Sequence, residues 1–266
     1  MDRATDIPAT VSVPLDQARV NDYDGIADAY AAENENSLVN AHYERPAMLA
    51  LAADVAGRRI LDAGCGSGPL STSLRDRGAA VTGIDASAGM LALARRRLGD
   101  EADLRLADLN DRLPFADAEF DDVVASLVLH YLEDWGPALA EFHRVLKPGG
   151  RLIASVDHPV VAYTFHDPRP DYFATTSYTF DWTVGGRSVP MRFWRKPLHA
   201  MTDAFTTAGF RLTAIGEPLP DPAARELFPD AFPALSTTPT FLFFVVEVPP
   251  SASGSEYRSA DRPGIR

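Results

Sequence analysis

Cysteine is nearly absent: Cys65 is the single one in 266 residues. That excludes an internal disulfide framework and any all-cysteine metal centre, and no metal site of another kind is expected. No apolar run approaches the roughly 20 residues of a membrane span, and the opening MDRATDIPAT has no signal-peptide core. Positive charge is scarce, with 25 lysines and arginines against 37 acidic residues and a formal net charge of −12. A field of that sign opposes the phosphate attraction on which nucleic-acid binders depend, so no nucleic-acid partner is expected. A cationic or neutral ligand is not excluded. These absences lead to the expectation of a soluble, cytoplasmic protein. What remains is ordinary for a domain with a real core: 46% hydrophobic and 23% charged residues.

No internal repeat occurs. Residues 1–20 are polar and unpatterned, read as a flexible arm. In YDGIADAYAAE, Tyr23, Ile26, Ala27 and Tyr30 fall at i, i+3, i+4 and i+7, one face of a helix. A second helix is expected from Pro46 to Ala56, so residues 21–57 read as a helical lid. From residue 58 to 157, strand and helix alternate. RRILDAG is a strand, followed by a helix opening at Pro69, a favoured first position. AAVTGID is a strand, and Ser87 caps a helix carrying Met90, Leu91, Ala94 and Leu98 on one stripe. ADLRLAD and FDDVVASLVL are further strands. A helix from Pro137 turns Leu139, Phe142, Val145 and Leu146 inward until KPGG stops it at Pro148, and RLIASVD is the fifth strand. The pattern predicts an α/β protein whose parallel sheet is covered on both faces.

After Asp157 the rhythm changes. Tyr178, Phe180, Trp182 and Val184 alternate with polar residues up to Gly185-Gly186, and Val189, Met191 and Phe193 alternate beyond it. This is a hairpin with a two-residue turn. Residues 158–197 therefore read as a cap insertion, and residues 198–248 as a helix and two late strands, GFRLTAIGE and PTFLFFVVEV. Residues 249–266 read as a disordered tail. Residues 21–248 form one domain, with lid and cap placed over the carboxyl edge of the strands, where ligands sit in open α/β sheets.

The stretch RILDAGCGSGPL, Arg59 to Leu70, joins the first strand to its helix through three glycines. A P-loop needs Lys-Ser/Thr after its last glycine, and Pro69-Leu70 stands there instead. A dinucleotide fingerprint needs glycine or alanine at the sixth position from Gly64, which is Pro69, a failure by one residue in a motif that drifts. The acidic residues suggest a third ligand. Asp85 ends the second strand, where a carboxylate accepts both hydroxyls of a ribose. The loop amides open a helix and suit an anionic group, while Asp62 beside them suits an ammonium. A ligand with ribose, carboxylate and ammonium but no phosphate is an amino-acid nucleoside, and S-adenosyl-L-methionine (SAM) fits. An acidic protein also suits its sulfonium.

ILDAGCGSG, VTGID, LADLNDRLPFADAEFDDVVASLVLHYL and HRVLKPGGRLI, in that order over about residues 23–157, resemble class I SAM-dependent methyltransferases. The likeness is greatest to the small-molecule branch that includes the ubiquinone/menaquinone type. The resemblance implies a Rossmann-like, seven-stranded, mostly parallel sheet whose last strand is antiparallel. By it, Asp62, Gly64 and Gly66 line the methionine end, with Cys65 in the same loop as a packing residue. Asp85 holds the ribose, Ala86 and Met90 flank the adenine, Asp108 binds its amine with Leu109 beside it, and Ser126 and Leu127 close the site. Tyr23 and Tyr30 lie over the cofactor.

The expected function is methyl transfer from SAM to a small, apolar or aromatic acceptor, with S-adenosyl-L-homocysteine (SAH) as product. O-, N- and C-methylation stay open, as do a monomer and a homodimer. His158, which follows strand five, His130, which follows strand four, and Tyr30 are the candidate catalytic groups if the acceptor must lose a proton. A SAM-binding protein without turnover and a nicotinamide-dependent oxidoreductase are the rival readings. RNA methylation is disfavoured by the charge, and protein acceptors stay open.

Overall fold

The computed structural model describes residues 20–164 and 166–250. All of the expected flexible arm but residue 20, and all of the expected disordered tail but residues 249 and 250, lie outside the described residues.

Strands β1 (Arg59–Ala63), β2 (Ala80–Asp85), β3 (Asp103–Leu106), β4 (Phe120–Ser126) and β5 (Leu146–Asp157) pair in parallel. Later in the chain, β8 (Arg211–Gly216) and β9 (Phe241–Glu247) complete a seven-stranded sheet of order β3-β2-β1-β4-β5-β9-β8. β9 runs antiparallel to both its neighbours. Helices α3 (Pro69–Asp76), α4 (Ala88–Leu98) and α5 (Gly136–Val145) are the crossovers between the parallel strands.

The central strands read as nearly continuous apolar runs because both faces are covered. In β1, Leu61 faces the core built on α5 and on α7 (Leu198–Thr207), with Leu139, Phe142 and Phe205. Its neighbour Ile60 faces the opposite core, built on α3 and on α2 (Arg45–Ala52), with Met48, Leu49 and Leu74. Val123 and Val124 in β4, and Leu152 and Ile153 in β5, alternate in the same way.

Three boundaries and one element differ from expectation. The helix expected from Pro46 to Ala56 is α2, ending at Ala52 because Ala53 takes φ 57°, and a single π turn, Asn40–Glu44, leads into it. β4 stops at Ser126, since Leu127 adopts φ 49° and the chain turns into a 3-10 turn at Leu129–Tyr131. Leu146 opens β5 rather than closing the preceding helix, its backbone already extended at ψ 141°. A short helix, α6 (Pro159–Thr164), follows β5 where none was expected.

The hairpin of β6 (Thr176–Val184) and β7 (Arg187–Arg195) turns at Gly185 and Gly186, both with positive φ, the turn that matches strand twist. It is joined to the N-terminal segment. Asn21 Nδ2 donates to the Arg192 carbonyl at 3.2 Å, Arg192 N donates to Asn21 Oδ1 at 2.7 Å, and Arg187 donates to the Gly25 carbonyl at 2.7 Å. At its other side the segment is held to the start of α4, where Asp24 Oδ1 accepts from Ser87 Oγ at 2.5 Å and Gly89 N at 2.7 Å. Helix α1 (Ala27–Asn36), the 3-10 turn before it and the hairpin thus form one cover over the carboxyl ends of the strands. No described helix is long and apolar enough to cross a membrane.

Candidate active site

The sheet order reverses between β1 and β4, and the crevice that such a reversal opens lies at their carboxyl ends. Under the cover it becomes a cavity of about 1220 Å³. Cavities for a single small ligand run to about 1,000 Å³, so this one has room for two.

Its floor is the glycine loop. Gly64, Gly66 and Gly68 all have positive φ, between 55° and 83°. At Gly64 a Cβ would stand 2.6 Å from Val128 Cγ2, so the loop passes too close to the β4 turn for any side chain. At Gly66 a Cβ would meet nothing within 4 Å, and the residue opens onto the cavity. Cys65 is packed beneath the loop, and burial pushes its thiol far up, so it is not a nucleophile.

Asp62, at the end of β1, is buried. Ser71 Oγ donates to its Oδ2 at 2.6 Å, while Oδ1 has no partner. Desolvation raises it from the ordinary 3.8 to about 7. A buried, unsatisfied carboxylate oxygen costs free energy unless a donor arrives, and the cavity is where one can arrive. Asp85 accepts from Gly66 N through Oδ2 and from Ser87 N through Oδ1, both at 2.8 Å. Each oxygen keeps a second lone pair for a diol. Asp108 is exposed and closes a turn with Asn110 through Oδ1.

Every expected cofactor-site residue stands on the cavity wall: Tyr23, Asp62, Gly64, Cys65, Gly66, Asp85, Ala86, Met90, Asp108, Leu109, Ser126 and Leu127. Tyr30 and His130 stand there too. His158 does not. Its side chain is 9% exposed, its Nε2 pairs with Glu217 Oε1 at 2.8 Å, and its main chain bonds to Thr240. The turn into α6 carries the ring to the β8 side, so the expectation of a substrate-facing histidine there is corrected.

His130 is buried with Tyr131 and Phe193 edge-on to its ring at 4.7 and 5.1 Å. Burial lowers its pKa, so the ring is neutral near pH 7, and Asp157 N donates to its Nδ1 at 3.3 Å. Tyr30 stacks on Trp182 at 5.8 Å and 12°, and its hydroxyl accepts from Asn34. Burial raises its phenol.

Another part of the wall is aromatic. Phe193 stacks on Tyr178 and Phe180 at 5.6 and 5.2 Å, and Tyr131 packs against Phe193 at 5.0 Å. Tyr23 bridges Tyr131, through a hydrogen bond between the phenols, and Tyr30, edge-on at 5.1 Å.

Two carboxylates on the wall escaped the sequence reading. Glu44 is 3% exposed, and its Oε1 accepts from Ser126 Oγ at 2.7 Å and Ser155 Oγ at 2.5 Å. Asp157 ends β5, accepts from Tyr178 at 3.0 Å through Oδ2, and has that same oxygen 3.4 Å from His130 Nδ1. Both left a signal. Glu44 shares a helical stripe with Met48 and Leu51, where a charge is out of place, and Asp157 ends strand five as Asp85 ends strand two.

Among the described residues the wall thus carries Glu44, Asp62, Asp85, Asp108 and Asp157 against one arginine, Arg45. That balance suits a cation and opposes a dinucleotide pyrophosphate. Together with the orphaned Asp62 oxygen and the open space over Gly66, it fits the ammonium, ribose and sulfonium of SAM.

Residues 61–154 match the family model described as a methyltransferase domain. The demethylmenaquinone methyltransferase of Clavibacter sepedonicus is 41% identical over 134 residues, which are 49% of this chain and 54% of that protein. The malonyl-[acyl-carrier protein] O-methyltransferase of Serratia marcescens is 40% identical over 108 residues, 41% of this chain and 42% of that protein. The match spans about half the length of these curated relatives. A crystal structure of an S-adenosylmethionine-dependent methyltransferase from Mesorhizobium loti superposes with a TM-score of 0.66 and 28% identity, over 80% of this chain and 99% of that one. In its sheet order, its glycine loop and its matched residues 61–154, the chain is similar to class I SAM-dependent methyltransferases of the small-molecule type.

Proposed function

We propose that this chain transfers the methyl group of SAM to a small acceptor with an apolar or aromatic body. One observation carries the reading. A single cavity is lined both by the glycine loop with the unpartnered Asp62 Oδ1 and by the stacked rings of the hairpin. It is built for two ligands of different chemistry.

Asp62 takes the ammonium of the cofactor, the amides around Gly66 its carboxylate, and Asp85 the ribose hydroxyls. Met90 and Leu109 bracket the adenine, and Asp108 accepts from its amine. When bound, SAM supplies an electrophilic methyl group on a positively charged sulfur. The work left to the chain is alignment and exclusion of water, for which orientation contributes about 7–11 kcal/mol in favourable cases. Tyr23 and Tyr30 shield the cofactor from solvent. Ser126 and Leu127 close its inner side. Neither His130 nor Tyr30 is placed to act as a base: His130 has Nδ1 occupied by a main-chain amide, and Tyr30 keeps its proton. The two act by shaping the wall, and His158 by fixing the turn after β5.

Calorimetric titration of the full chain with SAM, SAH and NAD, followed by an acceptor screen that reads SAH release, tests this. Micromolar binding of SAM and SAH without NAD binding is the expected result. Failure of SAM to bind at millimolar concentration would overturn the proposal.

A further inference from the structure

The acceptor half of the cavity has a chemistry of its own. Its rings form a continuous belt from Tyr30 and Trp182 through Phe180 and Phe193 to Tyr178. The belt ends on the carboxylate of Asp157, to which Tyr178 donates at 3.0 Å. Among the described residues no lysine lines the cavity, and its one arginine is engaged, with Arg45 Nη2 donating to Asn34 Oδ1 at 3.2 Å, while His166, edge-on to Tyr178, has its Nδ1 on the Ala162 carbonyl at 2.9 Å. Glu44, buried at the inner wall, adds a second negative group. His130, between Tyr131 and Phe193, is neutral.

Resting on the methyl-transfer reading above, we infer that the acceptor is an amine carried on a flat apolar body, the body lying against the Tyr30–Trp182 and Phe180–Phe193 rings and the nitrogen held by Asp157. Aromatic faces and a carboxylate both attract a cation, and desolvation strengthens that attraction. A carboxylate or phosphate acceptor would meet Asp157 and Glu44 with no lysine and no free arginine among the described residues to face it. A phenol fares no better. The enclosed phenols of Tyr131 and Tyr178 are pushed well above their ordinary value by burial, with Asp157 adding to the effect, and an acceptor phenol would be held neutral by the same surroundings.

The transfer balances without a further reactant. An ammonium gives one proton through Asp157, whose side chain is 31% exposed, to solvent water. The nitrogen lone pair then forms the N–C bond as the C–S bond breaks, and the electron pair of that bond stays on sulfur. The positive charge passes from sulfur to nitrogen, and the N-methylammonium product keeps it or loses a proton to water.

The test is calorimetry on the full chain saturated with SAH, using pairs matched in shape: tryptamine with indole-3-propionate, and tyramine with 3-(4-hydroxyphenyl)propionate. Each amine is expected to bind at least about tenfold tighter than its acid, the equivalent of roughly 1.4 kcal/mol. In Asp157→Asn the preference shrinks to about threefold or less while SAH affinity holds, and Trp182→Leu weakens amine and acid alike. An acid that binds as well as its amine, or amines that fail to bind at millimolar concentration, overturn the inference and leave the methyl-transfer reading standing. Failure of SAH itself to bind overturns that reading, and this one with it.

Discussion

Glu44 and Ser155, 111 positions apart in the chain, meet at 2.5 Å inside the protein. The same carboxylate oxygen takes the hydroxyl of Ser126, so one residue of the N-terminal segment closes the carboxyl ends of β4 and β5. Glu44→Ala leaves two hydroxyls without their acceptor and is expected to lower stability by about 1.5–3 kcal/mol, the usual cost of losing hydrogen bonds to a buried charge. Glu44→Gln keeps an acceptor oxygen and removes a charge that burial disfavours, so its loss is expected to be less than half as large. Urea denaturation of the two variants at pH 8 separates these outcomes.

Asp62 predicts a pH dependence with a definite sign. In the folded chain it holds its proton up to about pH 7, against 3.8 ordinarily. Between those values the folded state binds the extra proton, so this group's contribution to stability falls as pH rises through about 7. Cofactor binding runs the other way, because an ammonium needs the ionised carboxylate. SAH affinity is therefore expected to rise from pH 5.5 to pH 8, with protons released on binding near pH 6. In Asp62→Asn the slope flattens and affinity drops by about tenfold or more, one lost charged hydrogen bond. Calorimetry in two buffers of different ionisation heat reads both quantities.

The sheet was legible in the sequence because its signals are local. Val, Ile and Leu runs such as Ile60-Leu61 and Val123-Val124 are long enough to mark strands buried on both faces, and Gly185-Gly186 between alternating rings marks a hairpin. The end of the cavity proposed above for the cofactor could be assembled from the sequence for the same reason: Asp62, the glycine loop and Asp85 lie within 24 residues, each fixed by a strand end. The acceptor end was not. Glu44, Tyr131, Asp157 and Tyr178 come together only when lid, hairpin and β5 pack, and a residue's neighbours across such distances leave no trace in its own stretch of chain. His158 shows the converse. Its position after a strand suggested the cavity, but the helix α6 that begins at Pro159 turns it toward Glu217.

The loop glycines are expected to fail in different ways. An alanine at either Gly64 or Gly66 takes a left-handed backbone, costing about 1–2 kcal/mol. At Gly64 the new Cβ also meets Val128 at 2.6 Å, which adds overpacking of about 1–3 kcal/mol. At Gly66 it enters open space, where the cofactor is placed by the reading above. Gly64→Ala is therefore expected to show the larger fall in melting temperature. Gly66→Ala is expected to lose about tenfold or more in SAH affinity beyond what its stability accounts for. Equal losses of both properties in both variants would contradict the assignment of Gly66 to the cofactor.

Asp24 ties the cover to the cofactor strand. Its Oδ1 accepts from Ser87 and Gly89 at the start of α4, immediately after Asp85. These two bonds hold its carboxyl below the ordinary range. By the sign of that shift, their contribution is complete above about pH 4 and is lost as pH falls through the lowered value. Asp24→Ala removes them at every pH. The core beneath is packed independently of this exposed residue, so global unfolding is expected to change little. The N-terminal segment is expected to open more often, giving SAH release that is about three to ten times faster, the effect of roughly one hydrogen bond. Stopped-flow displacement of SAH measures that rate, and limited proteolysis tells whether new cleavage falls between residues 20 and 36. An unchanged off-rate with unchanged proteolysis would mean that the cover is held without Asp24, by the hairpin contacts of Asn21 and Arg187 and by the ion pairs of Asp28 with Arg96 and Glu35 with Arg97.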